Sequence, residues 1–174
     1  MQTGTKSLLF GVHQIFYHPL SVYLAWLELY GFPNLKETIC IIIHDWGYFG
    51  KENMDGPEGE THPEWAAKWA HKYLDSSGDS RYHDLCLYHS RTTAAKHGVE
   101  PSKLCWADKL SCRYDPWWLY IARGMLTGEI KEYRYDAARI GEVPITCSHR
   151  AWYKWACERQ IRRAYERDAR PAYE

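Results

Sequence analysis

Several residues that can bind a metal ion stand in this sequence where apolar residues would be expected. His44 and Asp45 directly follow the apolar run at residues 39–43, and Asp108 shares the face of a predicted helix with apolar residues one turn away on either side. A carboxylate in apolar surroundings is costly unless a cation or hydrogen-bond donors compensate its charge. We therefore expect a metal ion at these positions.

Three more histidines stand at the ends of predicted helices. His18 precedes Pro19 where the first of these helices begins, His62 precedes Pro63 where the third begins, and His89 ends the apolar face of the fourth. Together with the first group, they predict that five helices each direct a possible ligand position to a common centre.

The predicted metal ligands are two imidazoles and two carboxylates, from His18, His44, Asp45 and Asp108. Four nitrogen and oxygen ligands leave open positions on a six-coordinate ion. Such a set suits Mn, Fe, Co, Ni or Mg better than a closed structural zinc site. Open positions favour catalysis, because a bound ion lowers the pKa of its water and polarises a phosphoryl oxygen.

The elements that must position these ligands are helices almost throughout. Apolar residues recur at helical spacing, and no alternating stretch is long enough to predict a sheet. Capping signals, prolines and glycines then set the boundaries. We expect a single all-α domain over residues 1–174, with its core at about 10–126. Irregular segments are predicted at 47–61 and 127–147. Helices are predicted at 19–31, 34–47, 63–74, 80–95, 117–126 and 148–170, and one more begins near residue 101.

Bulk properties exclude several classes of partner. The formal net charge is zero, so no global positive field would attract nucleic acid polymers or an acidic membrane. The sequence shows no secretory leader and no apolar run near the length of about 20 residues that spans a bilayer. These features predict a cytoplasmic protein that acts on a small molecule. An aromatic content of 16% would suit self-association into a homo-oligomer.

The ordered ligand set resembles the HD-domain family of metal-dependent phosphohydrolases, whose signature is a histidine, an adjacent His-Asp pair and a distal aspartate. The matching positions are His18, which is followed by Pro-Leu-Ser-Val, the pair His44-Asp45, and Asp108, which lies between alanine and lysine. The resemblance covers roughly residues 10 to 126. It implies a bundle of five or more helices around the metal and hydrolysis of phosphate monoesters or anhydrides, often of nucleotides.

Two further histidines resemble the additional pair that some members of this family carry. His62 and His89 would either bind a second metal ion, with Asp45 as the bridge, or grip the substrate phosphate or act as an acid. Both alternatives remain open at this stage. His13 is an alternative first ligand, but His18 is favoured because the helix that it starts fits the family pattern better.

Cations close in sequence to the ligands are the candidates for binding the substrate. Lys51, Arg91 and Lys109 are predicted to hold phosphate, since an anionic substrate beside a partly neutralised metal needs positive partners. Trp46, directly after the His-Asp pair, is the candidate contact for a nucleobase.

A general base would come from one of three nearby acids. Glu64 is the predicted catalytic carboxylate because it lies in the first turn after His62, with Glu58 and Glu60 as alternatives. The competing interpretation is that Glu64 only stabilises a helix N-terminus. Two other functions compete with the hydrolase, namely a di-iron oxygenase on the same scaffold and a metal- or nucleotide-binding module without turnover.

Overall fold

The structure, a computed structural model, describes residues 1–54, 56–139, 141 and 143–168. Within this part the chain forms ten α-helices and three short 3₁₀ helices and has no β-strand, so the predicted all-α class is confirmed. The α-helices are α1 (Thr3–Phe10), α2 (Tyr17–Tyr30), α3 (Leu35–Ile43), α4 (His62–Tyr73), α5 (Arg81–Leu87), α6 (Arg91–Lys96), α7 (Lys103–Leu110), α8 (Trp117–Thr127), α9 (Glu129–Arg139) and α10 (His149–Asp168). The 3₁₀ helices are Trp46–Tyr48, Gly59–Thr61 and Ser111–Tyr114.

Two apolar cores hold these helices together. The larger core joins α2, α3, α4, α5 and α7, and its buried side chains include Val22, Trp26, Ile41, Ala66 and Leu104. The smaller core joins α8, α9 and α10 through Ile121, Ile130, Ala137, Trp152 and Tyr153. Within the described residues, no helix has both the length and the apolar character that crossing a bilayer requires.

The segment that carries the His-Asp pair begins as the sequence predicts. Asn34 and Glu37 form the capping box, with the Glu37 N–H donating to Asn34 Oδ1 at 2.9 Å and the Asn34 N–H donating to Glu37 Oε2 at 2.8 Å. Helix α3 ends at Ile43, before the predicted end at residue 47. His44 and Asp45 therefore lie in the turn between α3 and the next 3₁₀ helix.

The prediction of one helix over residues 80–95 was wrong. Two helices, α5 and α6, replace it, and they are separated by three residues that include His89. Ser90 starts the second helix, because its hydroxyl accepts a hydrogen bond from the Thr93 N–H at 3.3 Å. The Tyr88 carbonyl, at the break, accepts from the Ser102 N–H at 2.9 Å instead of continuing the helix. The break is what frees His89 to turn inward.

The prediction of an irregular connection over residues 127–147 was also wrong in part, because α9 occupies 129–139. Acidic residues in its first turn, Glu129 and Glu132, suit a helix N-terminus. Ile130 and Ala137 are buried in the smaller core, and this burial stabilises a helix in which most residues are polar. The predicted helix 148–170 corresponds to α10, and residues 169 and 170 lie outside the described residues.

The N-terminal segment adds a helix before the core that the sequence predicted from about residue 10. Helix α1 buries Leu8 against Tyr48 and Met54. The segment that carries Tyr48 also lies against the start of α4. The backbone at Gly47 approaches α4 so closely that a Cβ at this position would stand 1.9 Å from the His62 carbonyl oxygen. Only glycine fits at that position.

Candidate metal centre

The four predicted ligands of the first ion come from three separate segments and lie close together. Asp45 Oδ2 lies 3.2 Å from His18 Nε2 and 3.3 Å from His44 Nε2. His18 Nε2 also lies 3.2 Å from Asp108 Oδ1. His18, His44 and Asp108 also each offer an atom within 4.8 Å of the others.

The second oxygen of Asp45 faces a different pair of imidazoles. Asp45 Oδ1 lies 3.4 Å from His89 Nε2 and 3.7 Å from His62 Nε2, and these two nitrogens are 3.0 Å apart. His44, Asp45 and His89 form a second group whose possible ligand atoms are all within 4.8 Å of one another. The carboxylate of Asp45 is thus shared between two neighbouring groups of ligands.

Backbone carbonyls fix the orientation of three of the imidazoles. The Nδ1 atoms of His44, His62 and His89 each contact the carbonyl oxygen of the residue three positions earlier, at 2.8, 2.7 and 2.5 Å. An Nδ1–H that donates to a carbonyl leaves the Nε2 lone pair free, and metal-binding histidines commonly have this arrangement. All three rings can therefore turn an unprotonated Nε2 toward Asp45 when a metal binds.

The centre is buried, and its polar atoms lack ordinary partners. His18, His44 and Asp45 are at most 8% exposed. Among the described residues, His18 Nε2, His44 Nε2 and Asp45 Oδ2 have no partner in hydrogen-bonding geometry. Because buried polar atoms are nearly always satisfied, this cluster fits a bound cation better than it fits a set of hydrogen bonds within the chain.

The two carboxylates are held in the charged form. Burial by itself would raise the pKa of Asp45, but the charge of His44 and contacts with neighbouring imidazoles hold it well below its usual value. Burial likewise opposes ionisation of Asp108, while Lys109 and His18 lower its pKa well below the usual value. Two carboxylates that stay ionised in a buried place supply the negative charge that a divalent ion requires.

The pKa values of His18 and His62, which lie on opposite sides of Asp45, are shifted in opposite directions. Burial lowers the pKa of His18, but Asp108 and Asp45 overcome this effect and raise it to about 9. Burial and the charge of His89 hold the pKa of His62 well below its usual value, against the opposing effect of Asp45. In the absence of a metal, a proton on His18 therefore partly compensates the carboxylates, and a divalent ion would displace it.

A cavity of about 180 Å³ opens beside the centre, and two of the predicted phosphate-binding cations line it. Lys109 Nζ donates to Asp108 Oδ2 at 2.7 Å. Arg91 is half-buried, and no carboxylate in the described part of the chain pairs with it. Both cations can therefore meet an anion that enters this cavity, which we call the metal cavity.

The other predicted substrate contacts lie away from the metal cavity. Lys51 Nζ donates to the Thr61 hydroxyl at 2.5 Å and so ties the loop after the His-Asp pair to the start of α4. Trp46 stacks on Trp65 with ring centroids 6.0 Å apart, and 40% of its surface is exposed. Neither Lys51 nor Trp46 lines the metal cavity.

The three candidate bases are separated by the structure. Glu64 pairs with Lys68 at 3.0 Å on the exposed face of α4 and lines a different cavity. Glu58 accepts a hydrogen bond from Asn53 Nδ2 at 2.7 Å. Glu60 lines the metal cavity, and its Oε2 atom is buried without a hydrogen-bond partner among the described residues, 3.7 Å from Lys96 Nζ. The structure thus brings Glu60, and not Glu64, to the predicted ligands.

His13 lies on the wall of the metal cavity, although it contacts neither Asp45 nor Asp108 in the way that His18 does. Its Nδ1 atom is 3.0 Å from the Ser7 hydroxyl and 3.4 Å from Glu129 Oε1. Sequence reasoning missed Glu129 because it placed residues 127–147 in an irregular connection, whereas Glu129 begins α9 and is buried.

Tyr48 is a second residue that the sequence analysis missed. Its ring stacks on the His62 imidazole with centroids 3.9 Å apart and a 14° angle between the planes, and it lines the metal cavity. The tyrosine follows the His-Asp pair by three residues, a spacing that would have justified including it among the candidates.

Comparisons of this chain with protein-family models, with curated proteins and with solved structures find no match. The geometry of the site is therefore what indicates the function.

Proposed function

We propose that this protein is a divalent-metal-dependent phosphohydrolase with a dinuclear centre. The observation that carries the proposal is the position of Asp45, whose two oxygens face two separate sets of imidazole Nε2 atoms. One ion would bind to His18, His44, Asp45 and Asp108. A second would bind to Asp45, His62 and His89.

The residues around the centre have the chemistry that phosphate ester hydrolysis needs. A bound divalent ion lowers the pKa of a coordinated water and stabilises charge on a phosphoryl oxygen. Arg91 and Lys109 bind the phosphate oxygens and place the phosphorus beside the centre. Glu60 accepts the proton of the attacking water, and His13 donates a proton from its Nε2 atom to the leaving oxygen, because its Nδ1 is engaged by Ser7 and Glu129.

The number of ions is tested by stripping the protein with a chelator and titrating it with Mn, Fe, Co, Ni or Mg. We expect two ions per chain, and we expect His89→Gln to retain only one. His71→Gln is the matched control, because His71 lies on the exposed face of α4, outside both ligand groups. Retention of both ions by the His89 variant would contradict the dinuclear assignment.

Activity is tested by assaying the metal-loaded protein for released phosphate with a panel of small phosphate monoesters and anhydrides. We expect release that depends on the added metal and disappears with the chelator. A protein that binds both ions but releases no phosphate from any member of the panel would count against hydrolysis.

The bridged arrangement at Asp45 also suits a second candidate, a di-iron oxygenase. Arg91 and Lys109 favour the hydrolase, because two cations beside the centre suit an anionic substrate. Two irons per chain together with a reaction that consumes oxygen would select the oxygenase instead.

A further inference from the structure

A second and larger cavity, of about 440 Å³, adjoins the metal cavity. Four residues line both cavities, namely His13, Tyr48, Arg91 and Lys109. The two spaces therefore have a common wall that carries positive charge. A molecule whose phosphate lies at the metal centre can extend past this wall into the larger space, which we call the aromatic cavity.

The aromatic cavity is lined mainly by the last three helices, whose aromatic side chains form much of its wall beside the charged Asp136 and Arg159. Tyr120 of α8, Tyr133 of α9 and both Trp152 and Trp155 of α10 line it. Tyr120 and Trp152 contact each other with ring centroids 6.5 Å apart. Aromatic walls of this kind bind planar rings through stacking and edge contacts. Its volume falls within the range of about 300 to 1000 Å³ that is usual for small-molecule sites.

Two buried polar atoms belong to residues that line this cavity, and neither has a partner among the described residues. They are the indole Nε1 of Trp152, a hydrogen-bond donor, and the amide Oε1 of Gln160, an acceptor. Trp152 is only 5% exposed. Because a buried donor or acceptor is costly when left unpaired, a ligand that supplies one acceptor and one donor would satisfy both.

From these observations we infer that the aromatic cavity binds a planar nitrogen heteroaromatic group of the substrate, whose phosphate is held by Arg91 and Lys109 at the metal centre. The ring stacks against the aromatic walls, while Trp152 and Gln160 pair with an acceptor and a donor at its edge. A purine or pyrimidine base and a substituted pyridine have this chemistry. The inference rests on the proposed phosphohydrolase function and defines the substrate class of that same site.

The test compares substrates that share a phosphate but differ in the ring. Adenosine 5′-monophosphate and pyridoxine 5′-phosphate carry a heteroaromatic group, whereas ribose 5-phosphate does not. With the metal-loaded protein, we expect kcat/KM to be at least about tenfold higher for one or both of the ring-bearing esters, in line with the effect of a few buried contacts. The preferred ester shows whether the cavity binds a nucleobase or a substituted pyridine.

Variants of Trp152 and Gln160 test the inference in a second experiment. Trp152→Phe keeps an aromatic ring but removes the N–H, and Gln160→Met keeps the length but removes the amide. Each should raise KM for the preferred ester about tenfold, the loss expected for one buried hydrogen bond, and should lower kcat/KM for that ester more than for ribose 5-phosphate. Trp118→Phe is the matched control, since Trp118 is 59% exposed and does not line the cavity.

Binding of adenosine and of pyridoxine, which lack the phosphate, separates this inference from the proposed function. Tryptophan fluorescence would report the binding, because Trp152 and Trp155 line the cavity. Binding that is weakened in the Trp152 and Gln160 variants supports the inference even if no ester is hydrolysed, in which case only the hydrolase assignment fails. Equal kcat/KM for all three esters, without binding of either ring compound, would overturn the inference while leaving the hydrolase intact.

Discussion

The metal centre and the aromatic cavity are neighbours, but they are built in different ways. The centre draws its ligands from five segments between α2 and α7, and backbone carbonyls orient three of its imidazoles. The aromatic cavity comes mainly from α8, α9 and α10, and large rings form its walls. Buried charges tolerate few replacements. Under the proposed function, the first region carries the chemistry and the second selects the substrate.

Glu129 joins the two regions. It begins α9, it is fully buried, and it accepts hydrogen bonds from the Ser7 and Thr127 hydroxyls and, at 3.3 Å, from the Val12 N–H. Burial would raise the pKa of this carboxyl, but His13, Ser7 and Thr127 lower it below the usual value. Through His13, the residue links the last three helices to the wall of the metal cavity.

The largest effect is expected from Asp45→Asn, which removes the shared charge but keeps the shape of the side chain. We expect both ions to be lost and metal-dependent phosphate release to fall at least about 1000-fold, because metal ions supply several kcal/mol of transition-state stabilisation. Metal analysis and phosphate release measure the two effects. A variant that keeps full activity would show that the centre does not carry the chemistry.

The link between the regions is tested by Glu129→Ala. Removing this carboxylate leaves several buried donors unpaired, so the free energy of unfolding should fall by about 3 to 4 kcal/mol. Denaturant titration at neutral pH measures the change. Glu158→Ala, on the exposed face of α10 where Lys154 is 3.8 Å away, is the control and should change stability by less than about 1 kcal/mol.

The charge at the metal centre predicts a pH dependence for the metal-free protein. Because the pKa of His18 rises from 6.5 to about 9 on folding, its contribution to stability is complete below pH 6.5 and disappears as the pH rises through 9. The free energy of unfolding should fall by about 3 kcal/mol over this window. Denaturation at several pH values in the presence of a chelator measures the change, and His18→Gln should abolish it.

The smallest of these effects distinguishes the candidate bases. Glu60→Gln should lower kcat about 100-fold, equivalent to about 2.7 kcal/mol, the contribution typical of a general base. Glu64→Gln should change kcat by less than about twofold, since Glu64 pairs with Lys68 on the exposed face of α4. The opposite ranking would restore the base that sequence reasoning favoured and would contradict the assignment of Glu60.

Sequence reasoning succeeded where the signal is local. The apolar spacing after Pro19 and the capping box at Asn34 predicted two helices, because periodicity and capping act within a few residues. It failed at His89, where a serine cap divides one predicted helix, and at α9, where burial against distant residues stabilises a polar segment. The first error overlooked a local cap, whereas the second arises where contacts distant in sequence outweigh local preference.

The sequence by itself determined the helical class and the residue types of the candidate ligands, because helical periodicity is a property of short stretches and the coordination chemistry of histidine and aspartate is a property of the side chains. Only the tertiary structure decided which oxygen of Asp45 faces which imidazoles, that Glu60 lies at the metal cavity, and that α9 and α10 add an aromatic cavity beside it. These arrangements depend on how distant helices pack, and packing brings together side chains whose separation along the chain carries no information about their distance in space.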